Sequence, residues 1–252
     1  MSIKTTIGKI VSMVALVAAS RFSNIDQAVA AETNKVPVSA SVSASVEDKH
    51  ILINGVQLGE TPIALVSGVA SYGPVSVFGG IKKDAELTRE EDFGLRYKTV
   101  LAETRFGKFG LELDLEQKIF PQPAPTKDKT AYVADAILSA NTQFGDASIF
   151  YRERLNTADY DSGRTAVLNL ATPVLNLGTI AGKKAKLKAT GMLSYQDKFV
   201  GTKSEFSFAT PGVNLNIGPF DAYARQQFAL RDDIKDYTQF GVRYTKTFGG
   251  KK

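Results

Sequence analysis

The sequence predicts an all-β protein, a single antiparallel up-and-down barrel of about 12 strands. Three observations support this prediction. Segments in which apolar and polar residues alternate recur along the chain, as strands with one apolar face require. No segment shows the i, i+3, i+4, i+7 spacing of a substantial amphipathic helix. The connectors between the strands alternate strictly between short and long.

Length and composition favour one domain and exclude several kinds of site. The chain has 252 residues, and β-barrels of this size commonly remain undivided. The absence of cysteine excludes disulfides, thiolate metal ligands and a cysteine nucleophile. A mean hydropathy of -0.10 fits a soluble protein, but it also fits a membrane barrel whose strands keep one polar face. No apolar run reaches the roughly 18 residues of a helical membrane span.

The N-terminus has the layout of a secretory signal peptide. Two lysines precede an apolar run at 10–19, and small residues before Ala31 suit a cleavage site, with cleavage after Ala19 as an alternative. The predicted domains are therefore a signal peptide at 1–30 and a barrel at 31–252. Three basic residues and one acidic residue give the leader a charge of +2, so the total of +5 falls to about +3 on its removal. So mild a charge does not indicate a nucleic-acid partner.

The first predicted strand, Val36 to Val46, alternates without a fault. Valine and alanine occupy its even positions, and serine occupies the odd positions from 39 to 45. This strict period of two favours a strand over a disordered Ser/Ala-rich linker. Residues 47–63 contain the only histidine, His50, and are predicted to form a loop that can hold a small hairpin.

Eleven further strands follow the first at regular intervals. Each is bounded by clusters of turn-forming or charged residues. The predicted ranges are 64–72, 75–82, 92–103, 107–118, 131–143, 147–154, 165–177, 184–196, 204–217, 220–230 and 237–248.

The connectors indicate a membrane barrel, because such barrels have short periplasmic turns and longer extracellular loops. A soluble sandwich has no reason to alternate its connectors in this way. The short connectors are Gly73-Pro74, Thr104 to Phe106, Gly145-Asp146, Gly178 to Lys183 and Gly218-Pro219. The long ones are 83–91, 120–130, 155–164, 197–203 and 231–236.

Aromatic residues gather near both ends of the predicted strands. A soluble lipocalin-like barrel would alternate equally well with its faces reversed, so alternation alone does not separate the two classes. Two aromatic girdles around an aliphatic band are expected where a barrel crosses two lipid–water interfaces. The residues near the turns are Tyr72, Phe106, Phe144, Phe220 and Phe248, and those near the loops are Phe93, Tyr132, Tyr151, Tyr195, Phe206, Phe228 and Tyr237.

One short motif occurs twice, as Thr172-Pro173 and Thr210-Pro211. In both places the apolar phase of the strand changes across the motif, from Phe206 and Phe208 to Val213 in the second copy. Proline cannot donate a ladder hydrogen bond and is confined to edges and bulges. A β-bulge at each Thr-Pro would restore the outward apolar face after one extra residue.

The last strand, Tyr237 to Phe248, has Phe240, Val242, Tyr244 and Phe248 on one face and polar residues or glycine on the other. A strand of this kind that ends on phenylalanine resembles the C-terminal strand of Gram-negative outer-membrane β-barrel proteins, although four residues follow it here. The resemblance implies a bacterial outer-membrane location, contact with outer-membrane lipid, and recognition of this strand by the barrel-assembly machinery.

Charged residues within the strands are predicted to line the lumen, because a charge facing lipid at mid-depth costs about 2–4 kcal/mol. Cross-strand ion pairs would plug the interior, whereas a water-filled pore with a basic wall would select anionic solutes. Twelve strands lie between the filled interior of about 8 and the open channel of 16 or more, so both interpretations stay open. The predicted lumen-lining residues are Arg96, Lys98, Glu112, Asp114, Glu116, Asp135, Arg152, Arg154, Lys184, Lys186, Lys188, Asp221, Arg225 and Arg243.

A small porin-like channel for passive passage of small solutes, anions among them, is the function that these features favour. The alternatives are a plugged structural or surface-interaction barrel, and a secreted soluble barrel that binds a small ligand. Catalysis has no support, because a lone His50 without nucleophile-motif spacing is more often a surface residue. The chain offers no cofactor motif, no metal site and no nucleic-acid-binding motif.

Overall fold

The computed structural model describes residues 38–51, 57–59, 61–84, 88–121, 129–155, 157–158, 162–198, 204–232 and 234–249. The predicted signal peptide at 1–30 lies outside these ranges. The described residues form strands, joined by turns, bends and irregular connectors. They contain no helix that is long and apolar enough to cross a membrane.

The strands follow the predicted ranges closely. They are β1 (Val38–Glu47), β2 (His50–Ile51), β3 (Gln57–Gly59), β4 (Ile63–Tyr72), β5 (Val75–Lys83), β6 (Thr88–Thr104), β7 (Gly107–Phe120), β8 (Lys129–Thr142), β9 (Gly145–Arg154), β10 (Gly163–Ala171), β11 (Leu175–Ile180), β12 (Lys183–Asp197), β13 (Ser204–Ile217), β14 (Phe220–Ala229) and β15 (Tyr237–Gly249).

All of these strands except β2 and β3 close into one antiparallel barrel. From β4 to β10 and from β11 to β15, each strand pairs with the next, and β1 pairs with both β4 and β15, which joins the first strand to the last. Both β10 and β11 pair with β12, so they are two halves of one barrel strand and the ring has twelve strands. The predicted hairpin at 47–63 is confirmed, because β2 and β3 form a separate two-stranded sheet.

The two ends of the barrel differ in their connectors. Two-residue turns at 73–74, 105–106, 143–144, 181–182 and 218–219 lie at one end, here named the turn end. The strand ends that border the longer connectors, at 48–62, 84–87, 121–128, 155–162, 198–203 and 230–236, lie at the other end, the loop end. The start of β1 and the end of β15 both lie at the turn end, since Ser39 pairs with Gly249 and Val38 pairs with Tyr72.

The outer surface of the barrel is apolar. Leu95, Leu138, Ile149 and Val242 are each about half exposed, although leucine, isoleucine and valine are usually buried in water-soluble proteins. This arrangement is that of a barrel in lipid and is the reverse of a soluble ligand-binding barrel. Most predicted girdle aromatics are exposed too, among them Tyr72, Phe106, Phe144, Phe220, Phe93, Tyr132, Tyr195, Phe206 and Phe228.

One predicted girdle residue was placed on the wrong face. Tyr237 is buried inside the barrel, where its hydroxyl donates to Oε1 of Gln227 at 2.6 Å. It lies an odd number of residues from the outward-facing Phe240, so the two-residue period of the strand turns it inward.

The two Thr-Pro motifs differ in structure. At Thr172-Pro173 the predicted bulge is confirmed. Three residues separate the paired positions Ala171 and Leu175, whereas only two separate their partners Thr190 and Leu187 on β12. At Thr210-Pro211 the prediction was wrong, because the pairing with β12 runs through both residues without a shift. The extra residue is Ser207 instead. Phe206 therefore faces outward, whereas Phe208 faces inward and is buried.

Candidate functional site in the barrel lumen

The inward faces of the strands carry most of the charge in the barrel. Most of the predicted lumen residues alternate with outward-facing apolar residues along their strands, as Glu112 and Asp114 do with Leu113. One wall of the lumen is formed by β5 to β9. Its strands β6, β7 and β8 carry six carboxylates, namely Glu90, Asp92, Glu112, Asp114, Glu116 and Asp135.

Arg152 neutralises two of these carboxylates. Its Nη2 lies 2.6 Å from Oδ2 of Asp135 and 2.9 Å from Oε2 of Glu116, and its Nε donates to Oδ1 of Asp135 at 2.7 Å. Asp135 lies on the neighbouring strand, but Glu116 lies two strands away. Arg152 on β9 is therefore a counter-ion of the acidic wall.

Lys118 is the second centre of this wall. Its Nζ lies 2.6 Å from Glu90, 2.9 Å from Asp92 and 3.2 Å from Glu116. Lys82 on β5 makes a further ion pair of 2.9 Å with Glu90. Lys118 and Glu90 are largely buried, so these pairs fill the lumen near the loop end.

Nearer the turn end, Arg96 and Lys98 neutralise the remaining two carboxylates. Arg96 binds Asp114 in a bidentate manner, with Nε to Oδ1 at 2.9 Å and Nη2 to Oδ2 at 2.7 Å. Glu112 lies 2.9 Å from Arg96 and 2.8 Å from Lys98. The guanidinium of Arg96 also lies over the ring of Phe78, 4.8 Å from its centroid. All six carboxylates of this wall thus have a cationic partner.

The opposite wall, from β12 to β15, has cations without carboxylate partners. Lys188 pairs with Asp146, but Lys184, Lys186, Arg225 and Arg243 make no ion pair within the described ranges. Arg225 uses its Nε to donate to Oε1 of Gln239, and its guanidinium lies over the ring of Tyr223 at 5.0 Å. Asp221 accepts a hydrogen bond of 2.8 Å from Asn216. Arg154 lies at the loop end of β9, opposite Val133 and Gly163.

The half of the lumen next to the loop end is filled by polar side chains. Gln196, Gln227 and Gln239 on three of the strands are fully buried there. The connector at 230–236 adds Ile234, which is buried, and Arg231, which donates to Oε1 of Gln196 at 3.2 Å and lies 3.3 Å from Glu205. Arg231 and Ile234 therefore lie inward, over part of the mouth of the barrel.

The half next to the turn end is hollow. A cavity of about 550 Å³ extends across the lumen from Lys98 and Glu112 to Arg225 and Arg243. It reaches Asp146, which lies next to a two-residue turn. A second cavity of about 310 Å³ adjoins it on the β8 to β15 side.

Solved structures with a similar fold are outer-membrane barrels. A KdgM porin is 13% identical, and the match covers 82% of this chain and 98% of that chain with a TM-score of 0.47. The translocator domain of the autotransporter NalP from Neisseria meningitidis is 11% identical, with 93% and 96% covered and a TM-score of 0.43. OprD from Pseudomonas aeruginosa is 9% identical, with 84% and 65% covered and a TM-score of 0.41.

The chain is an outer-membrane-type β-barrel. The apolar outer face, the closed ring of twelve strands and the polar interior are its own evidence for this class. The likeness to the solved structures is one of architecture alone. Neither a protein-family model nor a curated protein sequence matches the chain.

Sequence reasoning did not single out every charged lumen residue of this barrel. Lys82, Glu90, Asp92 and Lys118 lie at or beyond the ends of the predicted strands, where the alternation was not followed. The structure extends β6 back to Thr88 and β7 on to Phe120. The two-residue period predicts these residues if it is extended along the chain. Counting back from Arg96 places Asp92 and Glu90 on the lumen face of β6, and counting on from Glu116 places Lys118 on the lumen face of β7.

Proposed function

We propose that this protein is a narrow porin-like channel of the bacterial outer membrane, not an enzyme, through which small solutes pass passively and anions pass more readily than cations. The observation that carries the proposal is the cavity in the turn half, whose lining includes polar side chains and two cations without a carboxylate partner, Arg225 and Arg243. The turn end would face the periplasm and the loop end the cell exterior, as short turns and long loops do in bacterial barrels.

The charge balance of the lumen supports a preference for anions. The carboxylates of the β5 to β9 wall are all paired, so their fields are largely cancelled at short range. On the other wall, four cations lack an ionic partner, and within the described part of the chain only Glu47 and Asp221 are lumen carboxylates without a cation within 4 Å. Rings and walls of unpaired charge set ion selectivity in pores.

The filled loop half sets the size of the solute. Among the described residues, buried glutamines and ion pairs occupy much of this half of the lumen, so the channel would pass inorganic ions and small organic solutes only. The same observation supports the second candidate, a plugged barrel whose loops bind a partner. Conductance separates the two candidates.

Two further parts of the proposal concern biogenesis. Residues 1–30 would direct export as a signal peptide. The strand β15 would be the segment that the barrel-assembly machinery recognises, because its outer face carries Phe240, Val242 and Tyr244 and, after Lys246, ends on Phe248.

The test is single-channel recording of the purified protein in a planar bilayer. Folded protein, identified by its heat-modifiable mobility in gels, should give discrete conductance steps and a reversal potential that favours anions. Folded protein that gives no steps would establish the plugged barrel.

Selectivity is tested with two matched pairs of substitutions at the turn end. Lys184→Glu with Lys186→Glu reverses two inward-facing charges, and we expect it to lower the anion preference several-fold. Lys183→Glu with Lys246→Glu reverses two outward-facing charges on neighbouring parts of the barrel and should leave the reversal potential unchanged. Recording near 1 M salt, where the Debye length is about 3 Å, limits the effect of the outward charges. An unchanged reversal potential in the inward pair would refute its role in selectivity.

A further inference from the structure

One side of the smaller cavity is formed by a continuous apolar patch. Its lining includes Ile137, Phe150, Val167, Met192 and Phe208, which come from five consecutive strands of the ring. Phe150 pairs in register with both Ile137 and Val167, so the patch is continuous across the strands. Inward-facing residues of water-filled barrels are usually polar, so five apolar ones together need a separate explanation.

Packing accounts for only part of this patch. Val167 and Phe208 are buried, but Ile137, Phe150 and Met192 are partly exposed and border the empty volume of about 310 Å³. A void of this size lies at the lower end of the range of small-molecule sites.

The polar side of the cavity carries a single charge. Arg225 is the only charged residue in its lining, and its Nη groups have no carboxylate partner among the described residues. Its Nε donates a hydrogen bond to Gln239, and its guanidinium lies over the ring of Tyr223. These two contacts fix the position of the guanidinium. The hydroxyl of Tyr237 donates a hydrogen bond to Oε1 of Gln227 at 2.6 Å, so these two groups are less available to a ligand than Arg225 is.

Thr210 supplies an independent sign of a missing ligand. It lines both cavities and is 4% exposed, and its Oγ1 has no hydrogen-bond partner. A buried polar group without a partner is costly. A ligand oxygen that is bound to Arg225 and also accepts a hydrogen bond from the Thr210 hydroxyl would remove that cost.

From these observations we infer that the cavity beside Arg225 is a binding site for a small monocarboxylate that carries a compact apolar group. The carboxylate would bind the guanidinium of Arg225 and the hydroxyl of Thr210, and the apolar group would lie on Phe150, Met192 and Phe208. The cavity shares Ser148, Asn169 and other lining residues with the larger one, so the ligand would reach it from the turn half. The inference deepens the proposed function, since the ligand would be a favoured solute of the channel, but the binding itself does not depend on conduction.

Binding is tested with benzoate and the purified, detergent-solubilised barrel, by calorimetry or saturation-transfer NMR. We expect saturable binding in roughly the millimolar range, as is usual for so small a ligand. Acetate lacks the apolar group and benzyl alcohol lacks the charge, so each should bind at least about 10-fold more weakly. Equal binding of benzyl alcohol and benzoate would overturn the role of Arg225.

Three variants locate the site. Arg225→Gln should weaken benzoate binding about 10-fold or more, as expected for loss of a charge-assisted hydrogen bond. Thr210→Val, which keeps the shape of the side chain, should weaken it several-fold. Lys246→Gln removes one positive charge from the outer face of β15 and should have no effect. Equal weakening by Lys246→Gln would indicate binding by net charge alone and would contradict the inference.

Folding and conduction are scored separately. Heat-modifiable mobility shows whether each variant is folded, and if Arg225→Gln does not fold, the result for Thr210→Val decides. Saturable benzoate binding without conductance steps would reject the channel and keep the site. Conductance steps without saturable benzoate binding would reject the site and keep the channel.

Discussion

Arg96 is held from three sides, and one of them depends on a glycine. The ring of Phe78 lies under the guanidinium and fills the space in front of Gly94 on the next strand. Asp114 and Glu112 hold the other edges of the guanidinium. A large inward ring of this kind fits only because the facing position on β6 has no side chain.

Gly94→Ala should therefore destabilise the barrel by about 1–3 kcal/mol, as overpacking does in tightly filled sites. The added Cβ would overlap the Phe78 ring and lie 2.6 Å from the carbonyl oxygen of Leu115, which is backbone and cannot move cheaply. Gly191→Ala is the matched control, since its Cβ would meet nothing within 4 Å. The measurement is the urea midpoint of unfolding in detergent, followed by gel mobility. Equal midpoints for the two variants would show that the contact does not matter.

The ion pairs of the β5 to β9 wall illustrate which residue-scale facts a sequence contains. Alternation assigns a face to each charged residue, and this much was predicted for Glu112, Asp114 and Asp135. It does not assign partners, because the tilt of the strands sets which inward residues lie at the same height. For this reason Arg152 reaches Glu116 from two strands away, a contact that no spacing along the chain reveals.

At the scale of single strands, β13 shows how one residue resets the outward face. Ser207 has no partner in the ladder with β12, and its hydroxyl donates to the carbonyl oxygen of Ser194 at 3.1 Å. Phe206 on one side of it faces outward and Val213 on the other side does too. At a bulge, two residues of one strand lie opposite a single residue of its partner. Phe206 and Val213 therefore share a face although an odd number of positions separates them.

Deletion of Ser207 should consequently be tolerated, because the strand then alternates regularly with Phe206 still outward and Phe208 still inward. Deletion of Ala209, a paired residue two positions away, should impair folding. The strand would then have to form its bulge at a different residue or turn the side chains of residues 204–208 to the opposite face. The yield of heat-modifiable folded protein in vesicles compares the two deletions. A lower yield for the Ser207 deletion than for the Ala209 deletion would contradict this account.

The sequence predicts that β13 has a bulge, but it does not predict at which residue. The apolar phase changes between Phe206 and Val213, so one extra residue must lie between them. Any residue in that interval can restore the phase, and proline made Thr210-Pro211 the natural choice. In the structure Pro211 stands opposite Gly191 within a regular ladder. The bulge instead falls where Ser207 can satisfy a backbone carbonyl.

At the scale of the whole molecule, the apolar outer surface of the barrel predicts where a charged substitution is tolerated. Leu113 lies in the middle of β7 and faces outward, while Phe144 lies in a turn and is 73% exposed. Leu113→Arg should cost about 2–4 kcal/mol in lipid, and Phe144→Arg about 0–1 kcal/mol. Reversible unfolding in lipid vesicles measures both. Equal costs would mean that the band does not lie across the bilayer.

The pairing of β1 with β15 joins residues about 200 positions apart along the chain, from Ser39 with Gly249 to Glu47 with Gly241. Contacts this distant form late, because a long loop must close before they do. Until they form, two strand edges keep backbone groups without partners, and each such group costs several kcal/mol in hydrocarbon. The half-made sheet therefore cannot enter lipid on its own, and its free edges must stay in water or against another protein until the first and last strands meet.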